Sequence, residues 1–163
     1  MRRLGGCGSD AAVTASDPHP PDEQYDTSLF ESGKPDLDRW FHEHALSVEV
    51  CRAGRTFVWQ IDGRMVAYCT IAAHLLVRDD LPRSLGRGNP AQIPAVLLAR
   101  LALDKALQGQ GLGGVLLAEA LGRVVDATRT VGARFLIVDA IDESATGFYV
   151  KYGFRSIPGT IAG

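Results

Sequence analysis

From residue 36 onward, the apolar positions alternate between two spacings. Leu37, Trp40, Phe41 and Ala45 recur at intervals of three and four, the period of one helix face. Asp36, after Pro35, has the short acceptor side chain of an N-cap, so a helix is expected to open there. Residues 56–61 and 65–71 are rich in β-branched and aromatic side chains. They flank Asp62-Gly63, which predicts two strands joined by a tight hairpin. Residues 94–103 read as a mostly apolar strand interrupted by Arg100. Helical spacing returns with Leu117, Ala120, Leu121, Val124 and Val131, on a helix beginning near Leu112. Phe135-Leu136-Ile137-Val138 is a short apolar run, as expected of a strand covered on both faces. Residues 143–152 predict a short helix closed by Gly153, and residues 154–157 a last short strand. The order of elements predicts an α/β fold (or α+β) around a central sheet.

Residues 1–24 lack this periodicity. They mix Gly, Ala, Ser, Asp and Pro and end in Pro18-His19-Pro20-Pro21, so they are expected to form a disordered or mobile tail. A start codon assigned too far upstream would leave the same pattern. The folded unit is then residues 25–163. A chain of 163 residues fits one domain. At this size about two-thirds of the unfolded surface is buried on folding, enough for a core without staples. No apolar run is long enough to span a membrane. Leu4-Gly5-Gly6-Cys7 resembles a lipoprotein cleavage site, but no apolar stretch precedes it. Cys7, Cys51 and Cys69 are odd in number, without a CxxC pair or a His/Cys cluster. They predict free thiols in a reducing, cytoplasmic setting rather than a disulfide framework or a zinc site.

The net charge of −2 makes no general case for a nucleic-acid partner, but its distribution is uneven. Residues 1–33 hold two basic and six acidic groups, residues 34–100 nine and seven, and residues 101–163 six of each. A polyanion would therefore meet the middle segment. Within it, residues 77–93 hold Arg78, Arg83 and Arg87 with two Pro and two Gly, a loop long enough to carry function. Guanidinium groups suit phosphates because they pair bidentately; the plain alternative is a solvated loop, its charge partly offset by Asp79 and Asp80.

Gln108-Gly109-Gln110-Gly111-Leu112-Gly113-Gly114 lies between a predicted strand and a predicted helix. Glycines let backbone N–H groups approach a phosphate, and the helix start adds unpaired N–H groups and a positive dipole end. Together they suit a pyrophosphate. A phosphate-binding P-loop would require a Lys that is absent here. The string Gly-x-Gly-x-x-Gly is met at positions 109, 111 and 114, but its acidic partner has only Asp139 as a late candidate. A glycine-rich helix start that binds nothing is the structural alternative.

The chain resembles the GNAT superfamily of N-acetyltransferases. Gln108, Gly111 and Gly113 meet its Arg/Gln-x-x-Gly-x-Gly/Ala signature. Phe148-Tyr149-Val150-Lys151-Tyr152-Gly153-Phe154 meets its Phe-Tyr-x-x-x-Gly-Phe pattern about 35 residues later. A narrower likeness, over roughly residues 25–157, is to the TacT-like GNAT toxins. Phe30, Gly33, Leu37, Asp38, Trp40, Phe41 and Ala45 match that group's early pattern, and Arg100-Leu101-Ala102-Leu103-Asp104 matches the strand before its loop. Val138-Asp139-Ala140 is similar as well. Ser32 stands where the group usually has Cys. The sequence ends at Gly163, where the family often continues into another strand, so either the sheet's last edge stays open or the natural chain runs further.

The resemblance implies a single GNAT-like domain with a central mixed, twisted sheet flanked by helices. It implies acetyl-CoA as co-substrate, held by Gln108, Gly109, Gln110, Gly111, Gly113 and Gly114, with Leu101 and Leu103 offering backbone N–H groups. Tyr149 is the candidate acid, since a phenol with a pKa near 10 stays protonated at neutral pH. A packing tyrosine is the alternative, and Tyr152 is expected in the core. The toxin likeness implies an aminoacyl-tRNA acceptor, with Arg78, Arg83 and Arg87 toward the tRNA, a ribbon-helix-helix antitoxin as partner, and a homodimer. No base stands out, because His42, His44 and His74 have no assigned place. An α-amine, with a pKa of roughly 7.7–8.0, needs little help to lose its proton, whereas a lysine amine at about 10.4 needs much more. The missing base favours an α-amino acceptor. A GNAT enzyme acting on a small amine or peptide N-terminus and a non-catalytic acetyl-CoA-binding module are the alternative readings.

Overall fold

Asp62 and Gly63 both take positive φ, 51° and 76°, as a two-residue type I′ turn requires. The turn joins β2 (Arg55–Ile61) to β3 (Arg64–Val77). In the computed structural model, which describes residues 14–15 and 26–157, this hairpin is the middle of a five-stranded sheet of order β1-β2-β3-β4-β5. Strand β1 is Thr14–Ala15, β4 is Gln92–Leu103 and β5 is Phe135–Val138. The first three pairings are antiparallel, and β4–β5 is parallel. The helices are α1 (Pro35–Val50), the single turn α2 (Arg83–Gly86), α3 (Leu112–Thr128) and α4 (Glu143–Lys151). This is a single α/β domain built on a mixed sheet.

Neighbouring residues of β3 point to opposite faces and supply both halves of the core. Tyr68 faces α1, packing with Phe30, Phe41, Ala45 and Met65. Cys69 faces the other side with Phe57, Leu98, Leu117, Ala120 and Tyr149. Each large side chain buried this way contributes about 1.5–3 kcal/mol. Tyr68 is fully buried, and its hydroxyl donates to the Leu37 carbonyl (2.8 Å), fixing the start of α1 to the sheet.

Several expectations need correction. Helix α1 starts two residues early, with Lys34 rather than Asp36 at the N-cap, so Asp36 lies in the first turn and pairs with Arg39. Strand β3 continues to Val77 because β4 pairs with it from Ala67 to its end. That leaves residues 78–91 as the loop, which folds into a 3-10 turn and α2. Val131 lies beyond the end of α3 and is 70% exposed. Tyr152 is the C-cap residue of α4 and is exposed, not core. Residues 154–157 form no strand; the sheet ends at β5, and among the described residues no further strand pairs with its outer edge. Most of the segment read as a tail, residues 1–24, and the Cys7 region lie outside the described residues. Thr14–Ala15, within it, pair with Gln60 and Trp59 as β1. Among the described residues no helix is long and apolar enough to cross a membrane.

Candidate active site

The site begins with a defect in the sheet. Thr70 pairs with Arg100 and Ile71 with Leu98, which leaves Ala99 as an extra residue, a bulge. Strand β5 pairs only with Ala95, Val96, Leu97 and Leu98. Past the bulge, β4 keeps β3 on one side and has an open edge on the other. The direction of its N–H groups follows from the ladder. Asp104 donates to the Val66 carbonyl across to β3 (2.8 Å). Antiparallel pairing alternates, so Leu103 and Leu101 turn their N–H groups away from β3, to the open edge.

The chain then turns into the glycine loop. Asp104 accepts from the Ala106 N–H (2.9 Å), starting the 3-10 turn Lys105–Leu107. The Gln108 amide donates to the carbonyls of Leu103 (2.9 Å) and Ser32 (2.7 Å), tying the loop to the segment before α1. Gln110 donates back to Ala106 (3.1 Å). The glycines fall into two groups. Gly109 and Gly111 adopt φ of 75° and 80°, and a Cβ on either would meet nothing within 4 Å. They give left-handed backbone beside open space. Gly113 and Gly114 are needed for close packing, since a Cβ would press on the Phe148 ring or collide with the Tyr152 hydroxyl. Gly111 is the N-cap of α3 and supplies no side-chain cap. The helix start therefore presents N–H groups and the positive dipole end to open space.

Helix α4 brings in Tyr149. Asp142 caps it, accepting from the Ala145 N–H (2.8 Å) and pairing with Lys34. Those two hydrogen bonds, Lys34 first, hold its carboxyl below the usual range. At the other end the Phe154 N–H bonds the Tyr149 carbonyl (3.2 Å) and the Gly153 N–H bonds that of Val150 (3.0 Å). This is a Schellman closure, with Gly153 at φ 90° in the left-handed position. Phe154 packs back on Tyr149 with ring centroids 5.4 Å apart, and Phe148 flanks it at 5.3 Å. Tyr149 is 6% exposed. Burial pushes its phenol up to about 12, with Cys69 and Asp139 adding to the shift.

Tyr149 lines a cleft of about 710 Å³ running between α1, the open part of β4, the end of β5 and α4. Asp36, Trp40, Arg100 and Asp139 line it with Tyr149, as do Leu81 and Leu85. Among the described residues no histidine lines the cleft; His42, His44 and His74 are all exposed elsewhere. Arg78, Arg83 and Arg87 are exposed and do not line the cleft, although the leucines of their loop do. Arg78 is held by Asp79 (3.2 Å) and by the Asn89 carbonyl (3.5 Å). Leu101 and Leu103 are half-buried; Gln108, Gly109, Gln110 and Gly111 are exposed, and Gly113 and Gly114 are half-buried. The start of α3 lies against α4 through Gly113 beside Phe148 and Gly114 beside Tyr152, but neither Leu101 and Leu103 nor Gln108, Gly109, Gln110, Gly111, Gly113 and Gly114 line the cleft that holds Tyr149. Sequence reasoning gave no role to Trp40 and Arg100, although a lone cation in an apolar strand was the available signal.

Comparison with known proteins identifies the family. A family model described as the acetyltransferase (GNAT) domain matches residues 52–156. The chain is 38% identical over 133 residues to a protein of Mycobacterium tuberculosis (strain ATCC 25618 / H37Rv) named tRNA-acetylating toxin, covering 82% of this chain and 80% of that one. Among solved structures it is similar to AtaT complexed with acetyl-methionyl-tRNAfMet, with a TM-score of 0.81 and 30% identity over 91% of this chain and 89% of that one. It is also similar to a tyrosine-to-phenylalanine variant of the AtaT toxin bound to acetyl-CoA and the C-terminus of the antitoxin AtaR, with a TM-score of 0.73 and 27% identity over 93% and 88%. The chain belongs to the GNAT acetyltransferase family, in its TacT-type toxin branch, and is an N-acetyltransferase with acetyl-CoA as co-substrate.

Proposed function

We propose that this chain acetylates the α-amine of an aminoacyl-tRNA and so blocks translation, as the toxin of a toxin–antitoxin pair. The observation that carries the reading is a buried, protonated phenol in a cleft that no described histidine lines, beside an open strand edge. The relative named for tRNA acetylation and the AtaT complex with an acetylated aminoacyl-tRNA support it.

Acetyl-CoA supplies the acetyl group as a thioester. The residues present fit it: the N–H groups at Gly109, Gly111 and the start of α3, in open space, suit its pyrophosphate. The outward N–H groups of Leu101 and Leu103 suit its amides and the thioester carbonyl, and Gln108 and Gln110 hold the loop in shape. As the amine nitrogen bonds to the acetyl carbon and the carbon–sulfur bond breaks, Tyr149 would give the proton of its Oη to the leaving sulfur, and the proton shed by the amine would restore the phenol through solvent. An α-amine is already partly neutral near pH 7, so a cleft that no described histidine lines suffices.

A pH profile follows. The rate should rise with pH as the acceptor amine loses its proton, at roughly 7.7–8.0 for an α-amine. An ordinary phenol would impose a falling limb near pH 10. Tyr149, raised to about 12, keeps its proton through that region, so no fall is expected there. The measurement is kcat against pH up to 10.5 with an amide-linked acceptor that survives alkali. A loss of rate centred near 10 excludes the buried phenol as the acid.

Arg78, Arg83 and Arg87 are exposed on the loop whose Leu81 and Leu85 line the cleft, which supports a role in holding phosphates of the tRNA body. Replacing Arg83 and Arg87 together with Gln should raise KM for tRNA severalfold, leave acetyl-CoA affinity unchanged, and flatten the salt dependence of KM, since each lost phosphate contact releases fewer counterions. An unchanged salt slope removes these two arginines from the interface. The acceptor itself is tested with labelled acetyl-CoA and charged or uncharged bulk tRNA, followed by a translation extract. Label on charged tRNA alone, with translation arrested, is the expected result. Equal labelling, or none with translation undisturbed, would transfer the assignment to a small amine or peptide N-terminus. A ribbon-helix-helix antitoxin, a homodimer and a cytoplasmic setting complete the proposal.

A further inference from the structure

Arg100 is the one cation on β4, and it lies within the strand rather than at an end. It is half-buried and lines the same cleft as Tyr149. The Ala99 bulge places it directly past the point where β5 stops pairing. Its guanidinium sits 5.1 Å from the centre of the Trp40 ring, and Trp40 is itself stacked on the fully buried Tyr68 at 6.1 Å and 10°. The Trp40 ring thereby backs the guanidinium. One nitrogen donates to the Ala99 carbonyl (2.6 Å). A guanidinium carries five N–H donors, so most of its capacity is left over.

A structural arginine half-removed from water is ordinarily matched by a carboxylate, because an uncompensated charge there is costly. Among the described residues no carboxylate lies within ion-pair distance of Arg100. The acids at the start of α1 are otherwise engaged: Asp36 pairs with Arg39, and Asp38 accepts from the Ser32 N–H at 3.0 Å. A ring-backed, unneutralised fork facing a reaction cleft is built for an anion with two acceptor oxygens.

We propose that Arg100, braced by Trp40, is a positioning residue that binds the phosphodiester nearest the aminoacylated end of the acceptor, setting the α-amine opposite Tyr149. This rests on the aminoacyl-tRNA reading and deepens it. It gives the site a way to prefer an amine carried on a nucleotide over a free amino acid or amine of the same side chain. It also differs in kind from the loop arginines, which lie outside the cleft and would hold the tRNA body.

The test compares two synthetic acceptors bearing the same amino acid in amide linkage at the 3′ position: an aminoacyl-adenosine without phosphate, and an aminoacyl dinucleotide with one phosphodiester. The wild-type protein is expected to favour the dinucleotide in kcat/KM, mainly through KM. In Arg100→Gln that preference should shrink by about 10- to 100-fold, the scale of one charge-assisted bidentate contact. Arg100→Lys keeps the charge and the stem but loses the fork, so its preference should fall between the two. It decides the matter alone if the Gln variant fails to fold. Acetyl-CoA affinity by calorimetry is read on every variant. A wild-type preference in the folded variants, or equal losses on both acceptors, overturns the proposal, because a packing role or a contact to the ester carbonyl would not distinguish them. Wild-type protein that acetylates neither acceptor, yet accepts a free amine, removes the aminoacyl-tRNA reading and this proposal with it.

Discussion

Gly111→Asp is expected to abolish measurable acetyl-CoA binding while the protein stays folded. Gly111 is the N-cap of α3 at φ 80°, and a Cβ there meets nothing within 4 Å. The fold therefore loses only the cost of a left-handed backbone on a non-glycine residue, roughly 1–2 kcal/mol. Binding loses far more. The new carboxylate would occupy the space beside the N–H groups that a pyrophosphate needs, and would repel it. Two unit charges 4 Å apart near a protein surface interact by about 4 kcal/mol, close to a thousandfold in affinity. Gly111→Asn separates the causes, since asparagine has a similar shape, tolerates the left-handed region and carries no charge. Calorimetry should show a weakened but measurable Kd for Asn and none for Asp, with both melting cooperatively. An unchanged affinity in a folded Gly111→Asp protein would falsify the placement of the pyrophosphate at this loop.

Tyr149→Phe should lower kcat by about 10²–10⁴-fold, the usual worth of a general acid, with little change in acetyl-CoA affinity. The substitution removes one oxygen and keeps the ring that packs between Phe148 and Phe154. Melting temperature should hardly move, and single-turnover rates should isolate the chemical step. Because the phenol is raised to about 12, it is a weaker acid than a free tyrosine but is fully protonated at working pH. Its contribution then depends on position more than on acidity. A Phe variant that turns over at the wild-type rate makes Tyr149 a packing residue. A variant that loses acetyl-CoA affinity instead makes its hydroxyl part of the binding site.

Much of this arrangement was legible because it rests on local physics. Asp62-Gly63 turns the chain by backbone geometry that few other pairs adopt, and the structure has both residues at positive φ. Gly153 ends α4 for the same reason, and Phe154 after it completes the closure that fixes Tyr149. Glycines 109, 111, 113 and 114 marked the loop. Reading them all as room for a phosphate was too simple, because two of them make room for Phe148 and Tyr152. Tyr152 itself was misplaced: three residues past Tyr149 on a short helix is close to a full turn, but the helix ends there and leaves the ring at the surface.

Most of the helices and strands, the Asp62-Gly63 turn and the Gly153 closure depend on neighbours within a few positions and could be read from local pattern, whereas the N-cap of α1 and the expected strand at residues 154–157 could not. How distant residues meet depends on long-range packing. The bulge at Ala99 and the early end of β5 depend on how far two other strands run beside β4. Gln108 closes its loop on Ser32, 76 residues earlier, and Lys34 pairs with Asp142, 108 residues later. Arg100 became part of the cleft because Trp40 arrives over it from α1. No periodicity records such pairings, because each is a contact between segments whose local patterns are satisfied without it.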